Sequence, residues 1–276
     1  MIRRRGLVAA LTWLGTGGFL LGLLGAVATV LLSSVAQRWL GTWLPGGYTM
    51  HWYGDAWSAY GVGGLLAVTF EVALAVVVLS LVVAVPTAYV LARLDFPGRR
   101  LLLVLFGLPL VLPTLSYAVP LATFMYRVHL AETLPGVVLV NLVPSLPFAI
   151  LVLMPFVAQI DPRIEQAARI CGAGTWQVFG RIMVPLLVPG LLAAGVLVLV
   201  RTVGQFELTF LVAGPGTQTL VVALYSIATQ AGNGASPQEV DAMAVVYMLT
   251  TLALLLVALR FVDPTSVVGR KPRTIR

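Results

Sequence analysis

This chain has very little charge. Asp, Glu, Lys and Arg make up 10% of its 276 residues, against roughly 25% in a soluble globular domain. So few charged groups cannot cover the surface of a soluble protein of this size. With 59% hydrophobic residues and a mean hydropathy of +1.00, the composition is that of a polytopic membrane protein. Cysteine is nearly absent: Cys171 alone excludes an internal disulfide framework and a cysteine-cluster metal site. The two histidines, His51 and His129, have no metal-ligand spacing and read as polar loop residues. The chain lacks a Gly-x-x-x-x-Gly-Lys-Ser/Thr pattern and so does not bind ATP by that route. It also lacks a Ser/His pair, a paired-Asp site or a metal cluster that would point to an intramembrane enzyme. Asp161 and Asp263 stand at loop starts, where helix capping explains them.

What it has instead is long apolar runs. The first, residues 6–32, follows Arg3-Arg4-Arg5 and precedes Ser34-Val35-Ala36, a combination that resembles a secretory signal. It exceeds the roughly 7–15 residues of a signal core and matches the ~20 needed to span a bilayer, so it reads as a retained first span. Further spans are expected at about 64–91, 101–126, 136–158, 186–212 and 241–262. The third contains Pro109, Pro113 and Pro120, with Thr114, Ser116 and Tyr117 among them. Such a helix cannot keep every backbone bond, so its freed groups must face protein or a water-filled cavity. Residues 33–63, rich in Trp, Tyr and Gly, read as an external loop with interfacial aromatics, the sharper alternative being an aromatic ligand box. Residues 127–135 and 213–240 read as the other external loops.

Six spans place both termini on one side, and the basic residues choose the side. Fourteen of the 17 Lys and Arg fall with the termini, Arg38 and Arg127 fall opposite, and Arg201 lies within a span. By the positive-inside rule the termini are cytoplasmic. The net charge of +7 therefore reflects topology and contact with anionic lipid, and no nucleic-acid site is implied.

That assignment puts residues 161–190 in the cytoplasm up to the start of the fifth span. Asp161-Pro162 is an N-cap followed by Pro at the first helical position, and Glu165 lies in the first turn, where an acid suits the helix dipole. A short helix over 163–171 is broken by Gly172 and Gly174. A second amphipathic piece over 176–183 carries an apolar stripe of Val178, Phe179, Ile182 and Met183. A small-residue patch at Ala167, Ala168 and Ala173 suits docking into a groove on a partner. A plain amphipathic loop lying on lipid fits the same residues equally well.

The spacing favours the first of these. Gln166-Ala167-Ala168, then three residues to Gly172, nine to Ile182 and a closing Val184-Pro185 resemble the cytoplasmic signature loop of the permeases of ABC importers. In that family the pattern is Glu-Ala-Ala, three residues, Gly, nine residues and Ile-x-Leu-Pro. Gln166 departs from the usual Glu, although Glu165 is adjacent, and Val184 departs from Leu. The resemblance extends over about 65–262 and includes 146–153, 210–220 and 224–227. It implies an all-α fold of the type I importer permease class with six transmembrane helices and cytoplasmic termini, in the bacterial inner membrane. The chain then divides into a first span and external loop (1–63), a permease core (64–262) with a coupling loop (159–185), and a basic tail (263–276). Implied partners are a second permease subunit, identical or different, a dimeric ABC ATPase that carries ATP and Mg, and an external substrate-binding protein. The chain itself binds no cofactor. Contact with the ATPase is expected through Glu165, Gln166, Ala167, Ala168, Gly172, Ala173, Ile182 and Pro185.

Ionisable groups within spans are candidates for a pathway. Here they are Glu71, Arg201 and Glu207, joined by Tyr117, Gln205 and Phe206. Arg201 lies about 9 Å along the helix axis from Glu207 and shares a face with Gln205. Glutamates lining a path fit a cation, while Arg201 fits an anion; a structural ion pair between Arg201 and either Glu is the bland reading. The 206–227 segment most resembles spermidine/putrescine permeases, with ferric-iron and phosphonate types close behind. The expected cargo is therefore a polyamine or similar small cation, or else ferric iron or a small anion. A secondary transporter or channel working without an ATPase is the alternative class.

Overall fold

The computed structural model describes residues 2–39, 42, 44–229 and 235–261, with side chains omitted at 2–11, 258, 259 and 261. The basic tail from Arg270 and Trp43 lie outside the described residues. The chain is all-α: thirteen α-helices and one π-turn run in order along the described residues, whose one β feature is an isolated bridge between Ala36 and Tyr48.

The chain forms two compact units. The first comprises 1–63 and 224–249. In it α1 (Ile2–Ser34) leaves the apolar stretch of its span, Thr12–Ser34, unburied up to the buried Ser34 at its end, the state of a helix whose apolar surface meets lipid or a neighbour. The stretch after it is more ordered than the expected loop. Helix α2 (His51–Ala59) occupies its second half, and Trp52 Nε1 donates to the Ala36 carbonyl at 2.8 Å while Tyr53 and Ser34 hydroxyls meet at 2.8 Å. At least one of the aromatics thus ties the turn to the end of α1 rather than lining a ligand box.

The second unit, 64–223 with 250–276, holds the core. Helix α3 (Val62–Arg93) and helix α6 (Leu134–Gln159) are long and apolar enough to cross a membrane, as are Thr12–Ser34 of α1 and Pro237–Val257 of α13 (Pro237–Phe261). Two bent pairs, Arg99–Val111 with Thr114–Arg127 and Thr175–Leu186 with Val188–Val203, bring the number to as many as six if each is counted as one span. The expected third span is α4 (Arg99–Val111) and α5 (Thr114–Arg127), meeting at 97°. Of its three prolines only Pro113 breaks the chain. Leu112 before it is extended (φ −70°, ψ 141°), because the proline ring clashes with a helical predecessor. Pro109 and Pro120 stay inside helices.

The expected fifth span is also corrected. It is α10 (Val188–Val203) followed, after a break at 204–206, by the short α11 (Glu207–Val212). Gly190 lets α10 approach α6: a Cβ there would lie 2.7 Å from the Phe156 ring. At the other end of α6 the buried Asn141 donates to the Val137 carbonyl at 2.8 Å and to Thr209 Oγ1 of α11 at 3.1 Å. The loop expected at 213–240 contains a helix, α12 (Leu220–Thr229). Its ten residues, mostly apolar, are too few to cross a bilayer, and the Gly, Pro and Thr around them masked the run. Thr69 of α3 accepts from its first amide, Leu220 N, at 2.9 Å.

Candidate functional site

The cytoplasmic loop folds as two helical arms. The first, α7 (Pro162–Ile170), starts as its sequence dictates. The Asp161 carboxylate accepts from Arg163 N at 2.9 Å, and Pro162, which has no amide to satisfy, follows it. It ends in a Schellman turn: Ala173 N donates to the Ala168 carbonyl at 3.0 Å and Gly172 N to the Arg169 carbonyl at 3.0 Å, with Gly172 at φ +85°. Glycine adopts that left-handed conformation without the Cβ penalty other residues meet. The second arm begins at Gly174, whose amide donates to Gln177 Oε1 at 3.0 Å. It runs through α8 (Thr175–Val178), a π-turn (Phe179–Met183) and α9 (Val184–Leu186), and meets α10 at 68°.

The anticipated stripe of the second arm is the inward one: Val178 and Met183 are fully buried and Phe179 and Ile182 half-buried. Trp176 points the other way, 86% exposed, as does Ile170 at the end of α7, also 86%. On α7 the residues Arg163, Ile164, Gln166, Ala167 and Ile170 are exposed. Ala168 and Ala173 are half-buried against the core, so of the three alanines Ala167 alone is fully outward. Gly172 and Pro185 are exposed.

Glu165 is the exception on α7. It is buried, 8% exposed, and faces the cytoplasmic end of α3. There the Tyr89 hydroxyl donates to Glu165 Oε2 at 2.6 Å, and Arg93 Nε lies 3.1 Å from Oε1. This second approach is an ion pair whose atoms are not aligned for a hydrogen bond. Arg93 Nη2 also donates to the Ile160 carbonyl at the end of α6. The sequence reading placed Glu165 in the loop but missed Tyr89 and Arg93. The available signal was their i, i+4 spacing at the cytoplasmic end of a span, which puts a hydroxyl and a guanidinium on one face.

Four of the six candidate pathway residues, Arg201, Gln205, Phe206 and Glu207, lie at the α10–α11 break. Gln205 Nε2 donates to Glu207 Oε2 at 3.0 Å, and Phe206 stacks on Phe210 at 5.1 Å. Arg201, in the last turn of α10, lies over the Phe148 ring of α6, 5.1 Å from its centroid, a cation–π contact. No salt bridge joins Arg201 to Glu71 or Glu207 among the described residues, so the structural ion pair is not formed. Glu71 is exposed on α3, apart from this group, and Tyr117 is half-buried on α5 and packed against the core. No group of three or more His, Cys, Asp or Glu able to hold a metal occurs among the described residues.

Residues 77–265 match the sequence profile of the binding-protein-dependent transport system inner membrane component. The chain belongs to this family. The permease is thus a multi-pass component of the bacterial inner membrane. It is 30% identical over 184 residues to the trehalose transport system permease protein of Mycobacterium tuberculosis, covering 67% of this chain and 66% of that protein. It is 30% identical over 194 residues to the molybdenum transport system permease protein of Escherichia coli, covering 64% and 85%. A diacetylchitobiose uptake system permease protein of Streptomyces coelicolor is 32% identical over 162 residues, covering 57% and 54%. The match thus spans about half to two thirds of the sugar-transport relatives. In fold the permease resembles a chain in the crystal structure of a bacterial ABC transporter that imports the acidic polysaccharide alginate: TM-score 0.71, 20% identity, 94% of this chain and 96% of that one.

Proposed function

We propose that this permease is the membrane subunit of an ATP-driven importer. It pairs with a second permease, passes substrate received from an external binding protein, and docks on a dimeric ATPase that carries ATP and Mg. The observation that carries the coupling role is the outward surface of the two-armed loop. Ile164, Ala167, Ile170 and Trp176 are apolar and exposed on a face that the charge distribution places in the cytoplasm. Large apolar side chains left in water at the tip of a loop are the mark of a surface covered by a partner. Gln166 sits on the same face and Glu165 does not, so Gln166 is the polar contact offered to the ATPase. Co-purification tests this reading: Trp176→Glu with Ile170→Glu is expected to release the ATPase from the membrane complex. An intact complex would count against it.

For cargo, the arrangement supports an oxyanion or acidic saccharide. Arg201 is held by a ring rather than by a carboxylate, which leaves its charge uncompensated by any acid of the described chain, while Glu207 is engaged by Gln205. A relative named for molybdenum, and a fold neighbour named for alginate, fit the same class; relatives named for trehalose and diacetylchitobiose leave neutral sugars as the second reading. The polyamine cargo expected from residues 206–227 has less support, since it needs Glu71 and Glu207 on one path, and none of the relatives reported above is named for one. Uptake of labelled molybdate, alginate oligosaccharide, trehalose and spermidine by the reconstituted transporter separates these classes. Arg201→Gln is expected to abolish anion uptake. Spermidine uptake that depends on Glu207 would restore the polyamine reading.

A further inference from the structure

We infer that Tyr89 and Arg93 form a joint through which α7 and the cytoplasmic end of α3 move as one body. The inference rests on the coupling role proposed above for the two-armed loop. The attachment of α7 is unusual in kind. Of its nine residues, Glu165 alone is buried and Ala168 is half-buried; the rest are exposed. Apolar burial therefore holds it weakly, and its hold on α3 is polar: the Glu165 carboxylate, with Arg169 also interacting with the Tyr89 hydroxyl. That carboxylate is gripped twice, by the Tyr89 hydroxyl at 2.6 Å and by Arg93 at 3.1 Å, with the Arg93 and Glu165 side chains only 13% and 10% exposed.

The same two residues reach two further elements. Arg93 donates to the Ile160 carbonyl, at the end of α6. The Tyr89 ring packs edge-on against Phe179 of the second arm, with centroids 5.6 Å apart and planes at 75°. One turn of α3 thus gathers the end of α6 and both arms of the loop. A shielded ion pair contributes little net stability over apolar packing, because desolvation offsets the attraction, but it does fix orientation and register. Here it fixes the direction in which α7 presents its outer face. A push on that face then passes through Glu165 into α3, whose 32 residues continue across the membrane.

The test uses the protein's own thiol. Cys171, the one cysteine of the chain, is exposed at the end of α7. A spin label there is paired with a second on Val82→Cys, which is exposed on α3. Distances are measured in the purified transporter, without nucleotide and with ATP and vanadate. The joint predicts one narrow distance that is the same in both states. In Glu165→Gln, which keeps the Tyr89 contact and removes the charge, and in Arg93→Gln, the distribution is expected to widen and to shift with nucleotide. The exchange Arg93→Glu with Glu165→Arg is expected to narrow it again, which separates a broken joint from a misfolded loop. A narrow distance in both Gln variants, or a wild-type distance that shifts with nucleotide, overturns the joint. If no ATPase co-purifies with the wild type, the coupling role fails instead, and the nucleotide-free distances still decide the joint.

Discussion

Gly172 shows how much a single residue sets. Its φ of +85° closes the Schellman turn that separates the two arms, and no neighbouring atom lies within 4 Å of where a Cβ would be. Substitution there costs backbone strain rather than a clash, about 1–2 kcal/mol for a residue with a Cβ and less for Asn. Gly172→Val is therefore expected to loosen the turn and weaken ATPase co-purification, while Gly172→Asn retains it. Glu165 carries a larger penalty. Glu165→Ala leaves Arg93 shielded and unpaired, and a loss of about 3–5 kcal/mol is expected, read as a lower thermal midpoint of the detergent-solubilised protein. Asn141 is the third case. Its bond to Thr209 ties α6 to α11, and Asn141→Ala is expected to lower stability by about 0.6–1.7 kcal/mol, the range of polar contacts between membrane helices.

At the level of elements, prolines and glycines divide the work. Pro113 turns a span into two helices at 97°, whereas Pro144, Pro147 and Pro155 are accommodated within α6. A proline interrupts a ladder, but its surroundings decide whether the helix bends, because neighbouring groups can re-satisfy the freed carbonyls. This is why the prolines of 101–126 announced an interruption without saying which one would act. Gly190 marks the close approach of α10 to α6. Gly190→Val is expected to cost about 1–3 kcal/mol of overpacking against Phe156, seen as a lower thermal midpoint with the membrane insertion unchanged. The helix α12 was hidden for a different reason: a mostly apolar run of ten residues inside a Gly- and Thr-rich stretch falls below the length that announces a span.

For the molecule as a whole, composition and charge settled a great deal. Scarcity of charge made it a membrane protein, the apolar runs counted its spans, and the bias of Lys and Arg oriented it. These are one-dimensional properties that the bilayer reads directly, so no tertiary contact is needed to obtain them. The position of the cytoplasmic loop, its caps at Asp161 and Gly172, and the spacing from Gln166 to Pro185 were equally local and equally visible. What the tertiary structure alone decided is which way each side chain points. It turned Glu165 inward onto Tyr89 and Arg93, left Gln166, Ile170 and Trp176 outward, and set Arg201 on Phe148 instead of on an acid. Those choices depend on partners 53 to 76 residues away, as with Arg201 and Phe148 or Glu165 and Tyr89, brought together only when α3, α6, α7 and α10 pack. Sequence spacing carries helical phase but not the identity of the helix across the interface.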